Sequence, residues 1–593
     1  MTTDFKEELD NNYHNPIWLL EVDADQLQTS FNNHSPGVWY IQLTSFISAP
    51  LFGAFWGSQI YNKLIYQVSS VAVTGFDEVV TDYTKRNSIS DVQSNAESFY
   101  YDQGTTKLYV SFTDYDPWWT FNDVKLFNTI GYSNTGYHNG TVYYQPSIIS
   151  ISPLRRQRDP NFYGIGRSNP VTISLANDED NKNIDNILDK QYYAKNSRVK
   201  LGFVKSDGSY LPFTDFETLY AGKVENIPTV NYDEVEIRLN NNKAFLTRKI
   251  PLRVLGDTEY SDISDNKKNK PKPLAFGTIR GAEAICLDKE STDTDHEFII
   301  ADCSIWSLND TGPAVYVDGV LSTYHGYTNT GGTFKIDDTN WNNKRVTVDF
   351  DGYQDTDGNL IENSLDIIKE ILVNYGDIDS STDYFDANQW AAQRADAYSI
   401  GLYLDSKKQI RDVIQDIAKS NQGMFFESRD GLYTFDKSVF SDTVEEDITK
   451  HNIINEPEAQ YDEGDWRSSI TCLYNRDYSE EEFRREIADS EEASIYQTYG
   501  TYQDEEIETY LTKSTEAKEF SENQMDFSRT IRPTFDVELP LKFLETELYD
   551  NINIEIDRPT NAWMGNIKTE IIGEQINPND NTLRYNIRYI EDV

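Results

Sequence analysis

At 593 residues the chain is too long for a single hydrophobic core, and several domains are expected. Apolar residues at 38% and aromatics at 13%, 39 of them tyrosine, exclude a disordered chain and favour strands and turns over long helices. With 53 basic against 99 acidic residues and a formal net charge of −46, the chain lacks the basic surface that neutralises phosphates. Sequence-reading or wrapping of nucleic acid and stable insertion into anionic membrane are thereby disfavoured.

The opening "MTTDFKEELDNNYHNP" is acidic and polar, unlike a secretory leader, and "SAPLFGAFWG" is too short to span a bilayer. Three cysteines, Cys286, Cys303 and Cys472, do not make a disulfide framework, so folding in a host cytoplasm is expected. Residues 1–155 form the first segment, rich in Tyr, Trp, Asn and Gly. "KLYVSF" and "TVYYQPSIISIS" read there as short strands between long loops. The cluster "DPWWTF" brings Trp118, Trp119 and Phe121 together, as a core or subunit interface or as a sugar-stacking platform.

Residues 156–255 alternate more cleanly. "VTISLAN", a helix-like "NIDNILDK", "RVKLGFV", an Asp207-Gly208 turn, "ETLYAGKVENI" and "DEVEIRLNN" give successive half-buried strands. Residues 256–273, polar and ending "KPKP", read as a linker. A second β segment over 274–350 runs from "PLAFGTIRGAEAICLD" through "HEFIIADCSIWSL" and "AVYVDGVLS", with an Asp318-Gly319 turn, to "RVTVDF". Residues 351–440 read as a small α+β domain. Its first helix is capped by Asn363 and presents Leu365, Ile368, Ile371 and Leu372 on one face. A second lies near "DANQWAAQRADA". The third presents Ile410, Val413, Ile414, Ile417 and Ala418, and a hairpin around Asp430-Gly431 follows it. Residues 441–466 read as an acidic connector, and 467–593 as partly helical charged sequence followed by barrel strands.

Enzyme signatures are scarce: the chain has no nucleophile elbow, zinc-protease helix, phosphate-binding loop or dinucleotide fingerprint. Catalytic residues, cofactors and metals are therefore expected to be none. The six histidines (His14, His34, His138, His296, His325, His451) are scattered, and among so many carboxylates an acid pair carries no information. Cys286, His296 and Cys303 match no zinc spacing and read as buried, inert groups. The aspartate-rich segment 349–372 invites comparison with an EF-hand. Placing Gly358 at loop position six puts Tyr353 first and Ser364 twelfth; placing Gly352 there puts Thr347 first and Gly358 twelfth. Both registers lack the first ligand and the bidentate Glu. The weak candidates left are Asp355, Asp357 and the Asn359 carbonyl, against a pair of turns leading into a capped helix.

Five features in order resemble tail hub proteins of long-tailed bacteriophages and gene transfer agents. "NPVTISLANDEDNKNIDNIL" resembles the family strand ending in Asn before a variable loop. "KPLAFGTIRGAEAICLD", "HEFIIADCSIWSL" and "AVYVDGVLS" resemble its central segment. "DGYQDTDGNLIENSLDIIKEIL" resembles its Gly-rich turn into a helix, "DVIQDIAKSNQGMFFESRDGLYTF" its helix and hairpin, and "ASIYQTYGTYQDEEIETYLTKSTEA" its segment ahead of a late helix. The resemblance covers about residues 160–593 and less of 1–155. It implies a fold that is mainly β with α+β: β-barrel hub domains with smaller α+β domains. It further implies a structural, non-catalytic virion protein, a homotrimeric ring at the distal end of the tail. Its implied partners are the distal tail protein, the tape measure protein and tail fibre or spike proteins, with DNA passing through unbound. The chain ends at "YIEDV" without fibre repeats, so host binding is expected from separate proteins. The alternatives are a receptor- or glycan-binding tail adhesin and, last, a polysaccharide-cleaving enzyme, which would need β-helix repeats.

Overall fold

The computed structural model describes residues 3–10, 15–23, 32–35, 38–42, 68–74, 80–85, 98–102, 107–111, 124–139, 143–158, 164–177, 194–205, 207–241, 244–303, 305, 313–328, 331–378, 384–437, 444–455, 457–461, 466–556 and 565–590. The fold is mainly β, with helices concentrated in the later half. Two compact units emerge, and both are discontinuous. The first takes residues 1–154, 169–241 and 576–582; the second takes 155–168, 242–575 and 583–593. These units cut across the consecutive segments that the sequence suggests, because strands distant in sequence share sheets.

The first unit is built on one long sheet. Its order runs Ile148–Ile151, Val171–Ala176, Glu234–Asn240, Glu217–Val230, Asn196–Val204, Asn15–Asp23 and Val124–Ser133, then on through Val68–Thr74 to the short strands before residue 112. Strand Asn15–Asp23 sits centrally, pairing antiparallel with Asn196–Val204 on one side and Val124–Ser133 on the other. Ile17, Leu19, Leu20 and Val22 are all fully buried, the continuous apolar run expected of a strand covered on both faces. Phe5, from helix Thr3–Asp10, packs its ring 5.1 Å from that of Phe203. Such rings contribute large apolar area and a favourable tilted geometry.

The second unit combines several sheets with the helical layer. An eight-stranded sheet follows the order Arg167–Ser168, Leu154–Gln157, Gly565–Asn577, Thr582–Tyr589, Thr534–Pro540 and Glu458–Gln460. Asn551–Ile556 also pairs with Gly565–Asn577 and carries Glu446–Ile448. A seven-stranded sheet joins Val346–Asp351 and Thr278–Glu283 to Ser469–Asp477 and Glu482–Ser490. A four-stranded sheet follows the order Ile285–Cys286, Asp295–Ile299, Thr333–Asp337 and His325–Thr328.

Helices Ser364–Gly376 and Ile410–Ser420 bury Leu365, Ile368, Ile371, Leu372, Ile410, Val413, Ile414, Ile417 and Ala418, the residues their 3.6-residue period selects. They join Phe425, Phe435, Trp466 and Phe520 in one core cluster. Each fully buried aliphatic side chain there contributes about 1.5–3 kcal/mol. Gly277 allows this core to close. Its φ is +65°, and a Cβ would lie 1.8 Å from the Ile400 carbonyl oxygen, so only glycine fits.

Residues 256–273 are a series of turns that tuck Tyr260 and Ile263 against Leu255, Ile285, Leu287 and Ile299. Residues 441–466 supply two short strands, Glu446–Ile448 and Glu458–Gln460. In the charged stretch 480–500, Glu482–Ser490 is an extended strand and Glu492–Tyr499 is helical. The helix-like "NIDNILDK" and the aromatics Trp118, Trp119 and Phe121 lie outside the described residues.

Candidate functional site

Charge buried in the second unit is arranged as two arginine–carboxylate networks. Glu574, whose side chain is 2% exposed, accepts from Arg156 Nη2 at 2.7 Å and from Arg429 Nε at 2.9 Å. Arg429 also donates to the Leu544 and Thr546 carbonyls, and Arg156 reaches Glu547 at 3.0 Å. Burial alone would push the Glu574 carboxyl up, but the two guanidinium groups hold it below its ordinary range. In the second network Glu570 accepts from Arg158 and, at 2.9 Å, from Arg588. Burial lowers Arg588 to about 10, so it stays charged at neutral pH. These side chains come from a short segment near residue 156, from hairpin Met424–Glu427/Tyr433–Asp436 and its turn, and from the C-terminal strands. Their work is to tie distant pieces of chain into one sheet system. Nothing in the residue spacing announces them, because only the fold brings residues 156, 429 and 574 together.

The aspartate-rich segment forms a compact turn. Asp355 Oδ1 accepts from the Asp357 amide at 2.9 Å and the Asn359 amide at 2.7 Å, while the Asn359 carbonyl accepts from the Asp355 amide at 2.9 Å. The backbone amide of Asn359 is the first cause of a lowered Asp355 carboxyl. The weak metal candidates Asp355, Asp357 and Asn359 are thus close together, with Asp355 Oδ1 and the Asn359 carbonyl engaged in closing the turn. Asn363 caps helix Ser364–Gly376, its Oδ1 accepting from the Leu365 amide at 3.0 Å.

Burial pushes the thiols of Cys286 and Cys303 up to about 12 and that of Cys472 up to about 11. The structure separates the three residues that the sequence grouped. Cys303 Sγ lies 4.0 Å from the Ala275 carbonyl, whereas Cys286 lies with His296 and with Asp288, which sequence spacing did not single out. Strand register explains the grouping. Cys286 pairs with Phe298, and the Leu287 amide donates to the Glu297 carbonyl at 2.8 Å, so Asp288 arrives opposite His296. Nearby, exposed His325 sits 3.1 Å from Asp295 and 3.9 Å from Asp337, two aspartates facing each other across strands.

In the first unit a groove of about 340 Å³ is lined by Pro16, Trp18, Asn134, Ile149, Pro578 and Asn579, among others. Asn134 and Asn579 are spent on backbone there: Asn134 bonds Trp18 and Pro16, and Asn579 bonds both polar groups of Ile151.

No family model matches the chain, and no curated protein matches it. Among solved structures it is similar to a tail protein from Neisseria meningitidis MC58, at 8% identity and a TM-score of 0.36, covering 75% of this chain and 96% of that one. It is similar to the 43 kDa tail protein of prophage MuSo2 from Shewanella oneidensis at 8% identity and a TM-score of 0.35, covering 76% and 95%. A chain of a native gene transfer agent virion gives 10% identity and a TM-score of 0.39, covering 59% and 91%. At these identities and scores the likeness assigns no function by itself. Among the described residues no helix is long and apolar enough to cross a membrane.

Proposed function

We propose that the chain is a structural virion protein forming the central hub at the distal end of a phage tail. In this reading three copies make a ring that joins the distal tail protein, the tape measure protein and the fibres or spike, and the ring lines or closes the DNA channel. One observation carries it: four of the five ordered sequence features fold as successive elements of a single compact unit. They supply strands Leu274–Phe276 to Val320–Leu321, the turn into helix Ser364–Gly376, helix Ile410–Ser420 with its hairpin, and Glu492–Tyr499 through Ser514–Ser528. The buried arginine–carboxylate networks support a scaffold rather than a catalyst, since their charges are matched to one another and to backbone carbonyls. A ring of three chains, each with formal charge −46, would also repel DNA in transit instead of retaining it.

Labelling intact particles with antibody against this chain tests the reading. Decoration of the tail tip is expected; decoration of the capsid or mid-tail overturns it.

A further inference from the structure

Three lone-pair groups converge at the edge of the four-stranded sheet. Cys286 Sγ lies 3.6 Å from Asp288 Oδ1, His296 Nδ1 lies 3.4 Å from the same oxygen, and all three atoms fall within 4.8 Å of one another. His296 is 4% exposed, yet its Nδ1 makes no hydrogen bond. A buried ring nitrogen aimed at a carboxylate and a sulfur without a hydrogen bond lacks what normally compensates its desolvation.

The opposite edge of the ring is held. Nε2 faces Asp338 Oδ1 at 3.5 Å, and the Trp341 ring packs with its centroid 4.7 Å from that of the imidazole. The Asp338 amide donates to the Thr294 carbonyl at 2.7 Å, which fixes the helical turn that carries both partners. Carboxylates flank both ring nitrogens, Asp338 at Nε2 and Asp288 at Nδ1, and Asp288 Oδ1 also accepts from the Glu297 amide at 2.9 Å. A cation at Nδ1 would take the place of a proton there and leave the Nε2 proton to Asp338, the usual outer support of a metal-binding histidine.

We propose that Cys286, Asp288 and His296 bind a divalent cation of borderline softness, zinc by the chemistry of its ligands, with Asp338 as the positioning residue behind His296. With Zn–S about 2.3 Å, Zn–N about 2.0–2.1 Å and Zn–O about 2.0–2.2 Å, tetrahedral angles give edges of about 3.5 Å for S···O and about 3.3 Å for N···O. The two observed edges, 3.6 Å for S···O and 3.4 Å for N···O, lie near those figures, and the third lies within 4.8 Å. A thiolate, an imidazole and a carboxylate together select zinc over calcium or magnesium, which take oxygen ligands. Binding releases the Cys286 thiol proton, and the Asp288 side chain, 24% exposed, gives solvent access to the group. The cation would clasp strand Ile285–Cys286 to Asp295–Ile299 beyond their short ladder of two residue pairs.

The test titrates chelator-treated, full-length protein with Co²⁺ and then displaces it with Zn²⁺. One equivalent with a thiolate-to-cobalt charge-transfer band is expected. The band should be lost in Cys286→Ser and kept in Cys472→Ser, whose thiol contacts Thr509 elsewhere. No such band at one equivalent, or a band that survives Cys286→Ser, overturns the proposal. Should Cys286→Ser fail to fold by circular dichroism, Asp338→Asn decides. Its side chain is 56% exposed, and Co²⁺ affinity should fall about 10–100-fold. Unchanged affinity overturns the positioning role and the site with it.

Discussion

Acidic side chains do opposite work in two places of the second unit. Around Glu570 and Glu574 carboxylates are sealed from water, each between two arginines. Asp355, by contrast, stands in solvent and spends Oδ1 on the Asp357 and Asn359 amides. A net charge of −46 says nothing about which is which. The difference lies in what the acid would leave behind. Removing a buried carboxylate strands two cations in low dielectric, whereas removing a turn carboxylate returns amides to water.

The contrast breaks most visibly at Glu574. Glu574→Gln should destabilise the second unit by about 3–5 kcal/mol, because Glu547, whose side chain is 38% exposed, is then the carboxylate that Arg156 and Arg429 share. Urea unfolding followed by tryptophan fluorescence reads it. A loss below about 1 kcal/mol would mean that water already shares the network. Replacing Arg156, Arg429 and Glu574 together by apolar residues of similar volume should cost much less than the single change, since no orphan charge remains.

Asp550 sharpens the comparison from the other side, as a partly buried acid without an arginine. Burial comes first, then Glu547, Glu445 and Asp436, and together they push its carboxyl from 3.8 up to about 7. A folded-state pKa above the unfolded one means that the folded chain holds the proton more tightly. This contribution to stability is present at low pH and lost as pH rises from about 4 through about 7. Asp550→Asn keeps an acceptor for the Glu547 amide, which now donates to Asp550 at 2.7 Å. The variant should gain on the native chain by up to about 1.4 kcal/mol per pH unit across that window. Parallel stability curves from pH 4 to 8 would show that the carboxyl is ionised throughout.

These two cases also mark what could be read without the fold. Helix Ile410–Ser420 was legible because its buried face recurs every three to four residues, and the Asp318-Gly319 and Asp430-Gly431 turns because glycine takes the positive φ there. Strand Glu482–Ser490 was not: its side chains are mostly exposed, so no two-residue apolar period survives, and pairing with Ser469–Asp477 sets it. The short strand Glu446–Ile448 is fixed likewise by its parallel partner Asn551–Ile556. The Glu574 network and the Cys286–Asp288–His296 group share that reason. Each depends on register between segments, which local composition does not encode.

The smallest effect belongs to the exposed turn. Asn363→Ala removes the acceptor for the Leu365 amide, and with it the cap of helix Ser364–Gly376, and should cost about 1 kcal/mol, while Asn363→Asp restores the cap. Asp355→Asn, which keeps an oxygen for the Asp357 and Asn359 amides, should cost less than Asn363→Ala. Thermal melts of the three variants, with and without added calcium, give the order. If Asp355→Asn proves the most damaging, and only when calcium is present, the turn is a cation site after all. The division between sealed and solvent-facing acids would then have to be redrawn around a bound ion.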